Sequence, residues 1–249
     1  EHDAMPRHLI APLFTLALIA LFPLSGATFY VELTTKIMIM AIFALSLDLL
    51  VGWTGLVSFG HAAFFGVGAY ALALLSPKAA AAGLWSSLGI AIVAAALCAL
   101  VVGIFVLRTR GIYFIMVTLA FAQMFYFVFH DTDFGGGSDG RYVNLKPDAS
   151  ILGFTPFDLD KPNQIYYVVL AVLVLVFAFL QMVLRSPFGR ALQGIKANEQ
   201  RMRALGYPVT AYKLAAFTLA GALAGLAGYL LAAQSGFVNP EILSWHQSG

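Results

Sequence analysis

Residues 84–107 have the sequence LWSSLGIAIVAAALCALVVGIFVL, an apolar run without a charged side chain. Crossing the hydrocarbon core of a bilayer takes about 20 helical residues, so this run predicts a transmembrane helix. The whole chain shares the bias, because 61% of its 249 residues are hydrophobic and only 10% are charged. A soluble domain has about a quarter of its residues charged, so the composition predicts a protein of the lipid bilayer. A formal net charge of +2 gives no indication of nucleic-acid binding.

Seven apolar segments divide the chain and predict an all-α, polytopic helical bundle that forms one membrane-spanning domain over residues 1–249. They lie at Leu9–Leu24, Leu33–Val51, Ala62–Leu75, Leu84–Leu107, Ile112–Phe129, Gln164–Leu184 and Val209–Ala233. The third segment is short, which leaves open a tilted span or a re-entrant helix buried by its neighbours. The first also has features of a signal peptide, but further spans follow it at once.

The distribution of loop charges predicts the orientation. Arg108 and Arg110 flank one loop, and the stretch Arg185–Arg203 carries five basic residues. Basic loops stay on the cytoplasmic side, so both are expected there. The segment 130–163 between the flanking spans, with six aspartates, is then expected to be a periplasmic loop. Counting back along the chain places the N-terminus on the cytoplasmic side.

The stretch after Leu184 predicts a short amphipathic helix between two spans. Ser186 and Pro187 are a favourable start, and Gly206 is a favourable stop. Between them one apolar stripe follows helical spacing and consists of Phe188, Leu192, Ile195, Met202 and Leu205. Two interpretations remain open on physical grounds. The helix rests on anionic lipid, or it docks in the groove of a partner protein.

Four polar residues are candidates for a solute pathway. Asp48 lies in an apolar segment, where a charge is costly, although it also lies near a helix end. Ser58 and His61 lie beside the glycine-rich breaks 52–55 and 60–61, and broken helices at membrane depth often hold transporter sites. Packing or capping is the alternative for His61. Gln123 is a lone amide in an apolar segment, for which hydrogen bonding between helices is the alternative.

Two glycine patterns have simpler interpretations. Gly221, Gly225 and Gly228 in the last segment predict close helix packing. The stretch 136–140, GGSDG, matches the serine hydrolase motif Gly-x-Ser-x-Gly, which requires a strand before it and a helix after it. A polar, aspartate-rich sequence follows instead, so an intramembrane hydrolase is a remote alternative. An ion-coupled carrier is another, and it would need buried charges in several spans.

Four stretches, in order along the chain, resemble the branched-chain amino acid ABC permease family, its LivM-type branch more than its LivH-type branch. They are ALSLDLLVGWTGLVSFGHAAFFGVGAY (44–70), RGIYFIMVTLAFAQ (110–123), GGSDG (136–140) and RSPFGRALQGIKANEQRMRALG (185–206). The last resembles the segment that couples such permeases to their ATPases. The resemblance implies that contacts to the ATPase involve Phe188, Gly189, Arg190, Ile195, Glu199, Leu205 and Gly206.

The family implies a transport subunit of the bacterial inner membrane that is not itself an enzyme. It would form the pathway for leucine, isoleucine and valine with a second, LivH-like permease, two cytoplasmic ATPase subunits and a periplasmic binding protein. The chain contains no Gly-x-x-x-x-Gly-Lys motif, so we expect no bound cofactor here and ATP on the partner subunits. Urea, amides or other amino acids are alternative substrates. Two departures stand out. Gln200, Arg201 and Met202 replace the family's usual alanines, and family members continue past residue 249, so we expect the chain to be incomplete at its C-terminus.

Overall fold

The computed structural model describes residues 19–25, 28–76, 83–109, 111–132, 135–143, 146–148 and 158–243. The helices are α1 (Thr28–Asp48), α2 (His61–Leu75), α3 (Leu84–Val106), α4 (Ile112–Asp131), α5 (Pro162–Arg185), α6 (Pro187–Ala197), α7 (Glu199–Ala204) and α8 (Val209–Ser235). Two-residue strands, β1 (Arg141–Tyr142) and β2 (Phe237–Val238), pair antiparallel. The all-α, polytopic prediction agrees with this architecture.

Five helices in the described part of the chain are long and apolar enough to cross a bilayer, rather than the seven predicted segments. They are α1 with its continuation to Thr54, α3, α4, α5 and α8. Helix α2 has 15 residues and rises only about 22 Å, which is too short to cross alone. Most of the first predicted segment, Leu9–Leu24, lies outside the described residues.

A break in the helical backbone separates α1 from α2. The chain continues from α1 through a π-helical turn, Leu49–Thr54, and Gly55 then adopts the left-handed conformation with φ 73°. Residues 55–60 are not helical, and α2 begins at His61. The helix therefore runs through Gly52, where the sequence predicted the first break, and ends only where a glycine allows positive φ.

Helices α2 and α8 form the centre of the bundle. Helix α8 packs against α1, α2 and α3, and α2 is buried over most of its length. Most apolar side chains of helices α4 and α5 are at least partly exposed. A polypeptide in lipid must satisfy its backbone internally, and these helices do so while turning apolar surface outward.

Candidate functional site

The segment between α5 and α8 consists of two helices rather than the single helix predicted from the sequence. Asn198 separates α6 from α7 with an extended backbone, φ −158° and ψ 97°. Its side-chain oxygen accepts a hydrogen bond from the Arg201 N–H at 2.9 Å and caps α7. Asparagine is a preferred N-cap residue, which explains why the helix restarts here. We call residues 187–206 the docking segment.

Most of the apolar stripe of the docking segment packs against the chain's own helices. Leu192 and Ile195 are buried, as is Gly189, and Phe188 stacks on Tyr212 of α8 with ring centroids 5.6 Å apart. Leu205 is the exception, with 67% of its surface exposed. Gly189 and Ile195 therefore hold the segment on the bundle, whereas the exposed positions Arg190, Leu205 and Gly206 are accessible to a partner.

Glu199 ties the second helix of the docking segment to the bundle. Its carboxylate accepts hydrogen bonds from Arg203 at 2.6 Å and from Lys213 of α8 at 2.7 Å. The Arg203 pair is the interaction expected four residues along a helix. The Lys213 pair fixes the direction of α7 relative to α8, because both side chains are at least three-quarters covered.

Gly206 ends the docking segment. The residue has φ 86°, in the left-handed region, and its N–H donates to the Arg203 carbonyl at 3.0 Å. Nothing described lies within 4 Å of where a Cβ would be, so the requirement for glycine comes from the backbone alone. The predicted stop at Gly206 agrees with this geometry.

A contact that the sequence did not predict joins the docking segment to the break. The Lys196 ammonium donates to the Gly52 carbonyl at 2.5 Å, and its side chain passes 3.3 Å from where a Cβ of Gly55 would be. Carbonyls at a helix C-terminus attract cations, and Gly52 lies two residues from the end of the π-helical turn. The pair is 144 residues apart along the chain, so no spacing rule reveals it.

A cavity of about 530 Å³ lies beside this contact. Its walls come from the break, from the start of α4 and from the bend at Asn198, and they include Lys196, Glu199 and Lys213. We call it the inner groove. The docking segment and the break thus share one cavity.

Within the break, Ser58 and Gly60 face α4. Ser58 is buried, and its hydroxyl accepts a hydrogen bond from the Gly60 N–H at 3.3 Å. Gly60 lies so close to the Thr118 carbonyl of α4 that a Cβ would collide with it. Ser58, Gly60 and Thr118 line a narrow crevice with Phe121 and without space for a water molecule.

His61 is fully buried at the start of α2. Its Nε2 lies 2.8 Å from the Ser46 hydroxyl, and its ring contacts Phe43 and Phe64. The Ser46 hydroxyl donates to the Phe43 carbonyl at 2.6 Å, which leaves it to accept from the histidine. The side chain therefore packs between helices and does not cap α2.

Asp48 and Gln123 lie apart from this cluster. Asp48 is exposed at the end of α1, and its carboxylate covers Gly52, where a Cβ would strike it. Gln123 is half-buried on α4. Neither residue lines the crevice at Ser58, so the structure does not gather the four predicted residues into one pocket.

The glycines of α8 lie at helix crossings. A Cβ on Gly221 would collide with Ala99, one on Gly225 with Ala95, and one on Gly228 with the Phe65 carbonyl. Helices α3 and α2 thereby approach the backbone of α8 on two sides. This is the close packing that small residues allow in membranes.

The Gly-x-Ser-x-Gly stretch lacks the backbone of a hydrolase elbow. Residues Gly137–Asp139 form a 3₁₀ turn, which helix α4 precedes and strand β1 follows. A nucleophile elbow needs the opposite order, a strand and then a helix. The turn instead leads into the strand pair Arg141–Tyr142 with Phe237–Val238.

Comparison with known proteins adds independent information. A sequence model described as the branched-chain amino acid transport system permease component matches residues 29–248. The chain is 33% identical over 258 residues to the high-affinity branched-chain amino acid transport system permease protein LivM of Salmonella typhimurium. It is 34% identical over 258 residues to the protein of the same name from Escherichia coli.

Each of these alignments covers 95% of the chain but 60% of the relative, so the chain spans about three fifths of their length. An autoinducer 2 import system permease protein, LsrC of Photorhabdus laumondii, is 29% identical over 101 residues, 41% of this chain and 29% of LsrC. No solved structure matches the chain.

Proposed function

The chain belongs to the branched-chain amino acid transport permease family, and from that membership we propose that it is the membrane-spanning permease subunit of an ATP-driven importer for leucine, isoleucine and valine. The relatives named LivM support this substrate class, since two of them align with 95% of the chain. The chain is then a transport subunit of the inner membrane, and ATP hydrolysis belongs to a partner.

The geometry of the docking segment is the observation that carries this proposal. Its apolar residues hold it on the bundle, while Arg190, Leu205 and Gly206 remain exposed. Lys196 connects the same segment to the break between α1 and α2. A partner that moves the segment would therefore move the break, which is a rigid-body form of switching.

The partners follow from the same proposal. Two cytoplasmic ATPase subunits contact the docking segments of this chain and of a second permease, and a periplasmic binding protein delivers the solute. The basic residues of the docking segment favour a cytoplasmic position for it, and the N-terminus then lies on the same side. The 130–163 loop is periplasmic in this arrangement.

Purification of the assembled complex tests the proposal. The tagged chain is isolated from its native membrane, co-purifying chains and bound small molecules are identified, and the complex is reconstituted with its binding protein. We expect an ATPase among the chains and ATP-dependent uptake of leucine. An isolate without an ATPase would contradict the importer, and uptake of urea without leucine would contradict the substrate.

A further inference from the structure

Helix α1 carries charges on a face that its neighbours leave exposed. Glu32 and Lys36, four residues apart and so on the same face, are both exposed. Away from the helix ends, the other described spans expose only uncharged side chains. A charged side chain that faces lipid is costly, so this face of α1 is expected to meet water or a polar surface.

The outer part of this face opens into a second cavity, of about 480 Å³, which we call the outer groove. Its walls come from the start of α1, the start of α5 and the end of α8. The docking segment follows the other end of α5, so the two grooves lie at opposite ends of the bundle. Its volume lies in the range of about 300–1,000 Å³ that is typical of ligand sites.

Two cationic and two anionic side chains line the outer groove, namely Lys36, Lys146, Glu32 and Asp160. Within the described residues, none of the four forms an ion pair with another. Lys146 is held in place because its ammonium donates to the Leu159 carbonyl at 3.1 Å. The groove thus offers both signs of charge from three separate parts of the chain.

A buried amide oxygen lies in the same wall. The Gln234 Nε2 donates to the Glu32 carbonyl at 2.7 Å, which orients the side chain. Its Oε1 atom is buried and has no partner among the described residues. A buried acceptor without a donor is unfavourable, so a donor supplied by a ligand would stabilise this side chain.

The rest of the lining is mainly apolar and includes Leu33, Ile165 and Leu231. Transfer of an aliphatic side chain from water to such an apolar surface is favourable. The groove combines apolar contact area with charges of both signs. That combination matches a zwitterion with a hydrocarbon side chain.

We propose that the outer groove binds zwitterionic aliphatic α-amino acids as they enter the bundle. The ligand carboxylate lies toward Lys36 and Lys146, and its ammonium lies toward Glu32, Asp160 and the Gln234 amide oxygen. The inference rests on the proposed function and adds the position of an entry site to it. A zwitterionic lipid headgroup has the same charges, and the experiment separates the two sources.

Photolabelling of the assembled complex tests this site. The probe is photoleucine, a leucine analogue with a diazirine in its side chain, applied without binding protein to complex in vesicles of phosphatidylglycerol. Labelled peptides are mapped by mass spectrometry. We expect label within residues 28–36 or 231–235, and we expect unlabelled leucine to displace it.

Variants that neutralise single charges of the groove measure how much each charge contributes to binding. Glu32→Gln and Lys36→Gln should each raise the leucine concentration needed for displacement by about tenfold, because each removes a charge that pairs with the opposite charge of the ligand. Glu32→Asp and Lys36→Arg keep the charge and should retain labelling. Glu241→Gln and Lys161→Gln are matched controls, because both residues are exposed and lie outside the groove lining.

Three results would overturn the inference. One is label confined to other parts of the chain, and another is displacement by leucine that is equal in the variants and controls. The third is label that leucine leaves in place but that vesicles with added phosphatidylethanolamine abolish, since a headgroup would then be the occupant. If the wild-type complex fails to take up leucine at all, the proposed function fails instead.

Discussion

Lys196 is the residue through which the docking segment reaches the break. Its ammonium contacts the carbonyl of Gly52, which lies in the π-helical turn between its N-cap Asp48 and its C-cap Gly55. Removing the ammonium leaves the helix end without its cation while the apolar packing of α6 stays intact. If the proposed function is right, we expect this contact to transmit movement of the segment to the break.

Replacement of Lys196 by methionine tests this role. We expect Lys196→Met to leave the ATPase bound but to raise the number of ATP molecules hydrolysed per leucine transported by about two- to tenfold, the range of an exposed charged hydrogen bond. Arg185→Met is the matched control, because Arg185 is an exposed basic residue at the end of α5. Equal coupling ratios in the two variants would contradict the role of Lys196.

Asp48 occupies an exposed position six residues before the end of the helix at Thr54. If its carboxylate faces the solute pathway, Asp48→Leu should abolish leucine uptake while the complex still assembles. Asp48→Asn preserves the shape of the side chain and its hydrogen-bonding oxygen and should retain part of the activity. Uptake is measured in vesicles at equal amounts of complex, and normal uptake by Asp48→Leu would remove Asp48 from the pathway.

At the scale of the helices, the sequence was sufficient where the hydrophobic pattern was long. The predicted segments Leu84–Leu107 and Ile112–Phe129 correspond to α3 and α4 within two residues at each end. The prediction of a single helix across Asn198 was wrong for a local reason. The apolar stripe keeps its helical spacing on both sides of Asn198, but the side chain of this one residue caps a new helix. An asparagine followed by an acidic residue was the available signal, because both favour a helix start.

The crossing of α3 and α8 supports a prediction of its own. A Cβ at Gly225 would collide with Ala95, whereas a Cβ at Gly89 on α3 would have no described atom outside its own helix within 4 Å. We expect Gly225→Val to lower the free energy of unfolding by about 1–3 kcal/mol through overpacking. Gly89→Val is the matched control. It should not lower the free energy of unfolding, because valine has a higher intrinsic helix preference than glycine. Thermal unfolding in detergent measures both, and equal midpoints would contradict the tight crossing.

For the whole molecule, the arrangement of the sites depends on contacts that sequence spacing does not contain. Gln234 meets Glu32 across 202 residues, and Lys196 meets Gly52 across 144. Both pairs join helices that are distant in the chain, and only the packing of α8 and α6 on α1 brings them together. The type of protein was therefore predictable from composition and motifs, whereas the two grooves were not.

The same contacts involve α1 or its continuation at both ends of the bundle. The outer groove lies between α1, α5 and α8, and the inner groove lies between the break, α4 and the docking segment. Helix α1 lines both grooves. Glu32 and Lys36 lie in the wall of the outer groove, and the continuation of α1 to Thr54 reaches the wall of the inner groove. Movement of the docking segment is thus expected to reach α1 first.

Recruitment of the ATPase by the docking segment is the central claim. We expect the combined variant Gly206→Val and Glu199→Lys to insert normally but to lose ATPase co-purification and leucine uptake together. Valine is strained at φ 86°, and a lysine at 199 would repel both Arg203 and Lys213. Gly206→Asn is the control, because asparagine tolerates the left-handed conformation and should retain both activities.

Quantitative co-purification of the ATPase with this double variant is the most direct measurement. The account predicts at least a tenfold loss of bound ATPase relative to wild type, with the control near wild type, because about 1.4 kcal/mol of lost binding suffices for that change. A segment that only rests on lipid would instead respond to removal of its basic side chains. Full ATPase recovery together with normal leucine uptake in the double variant would contradict the account.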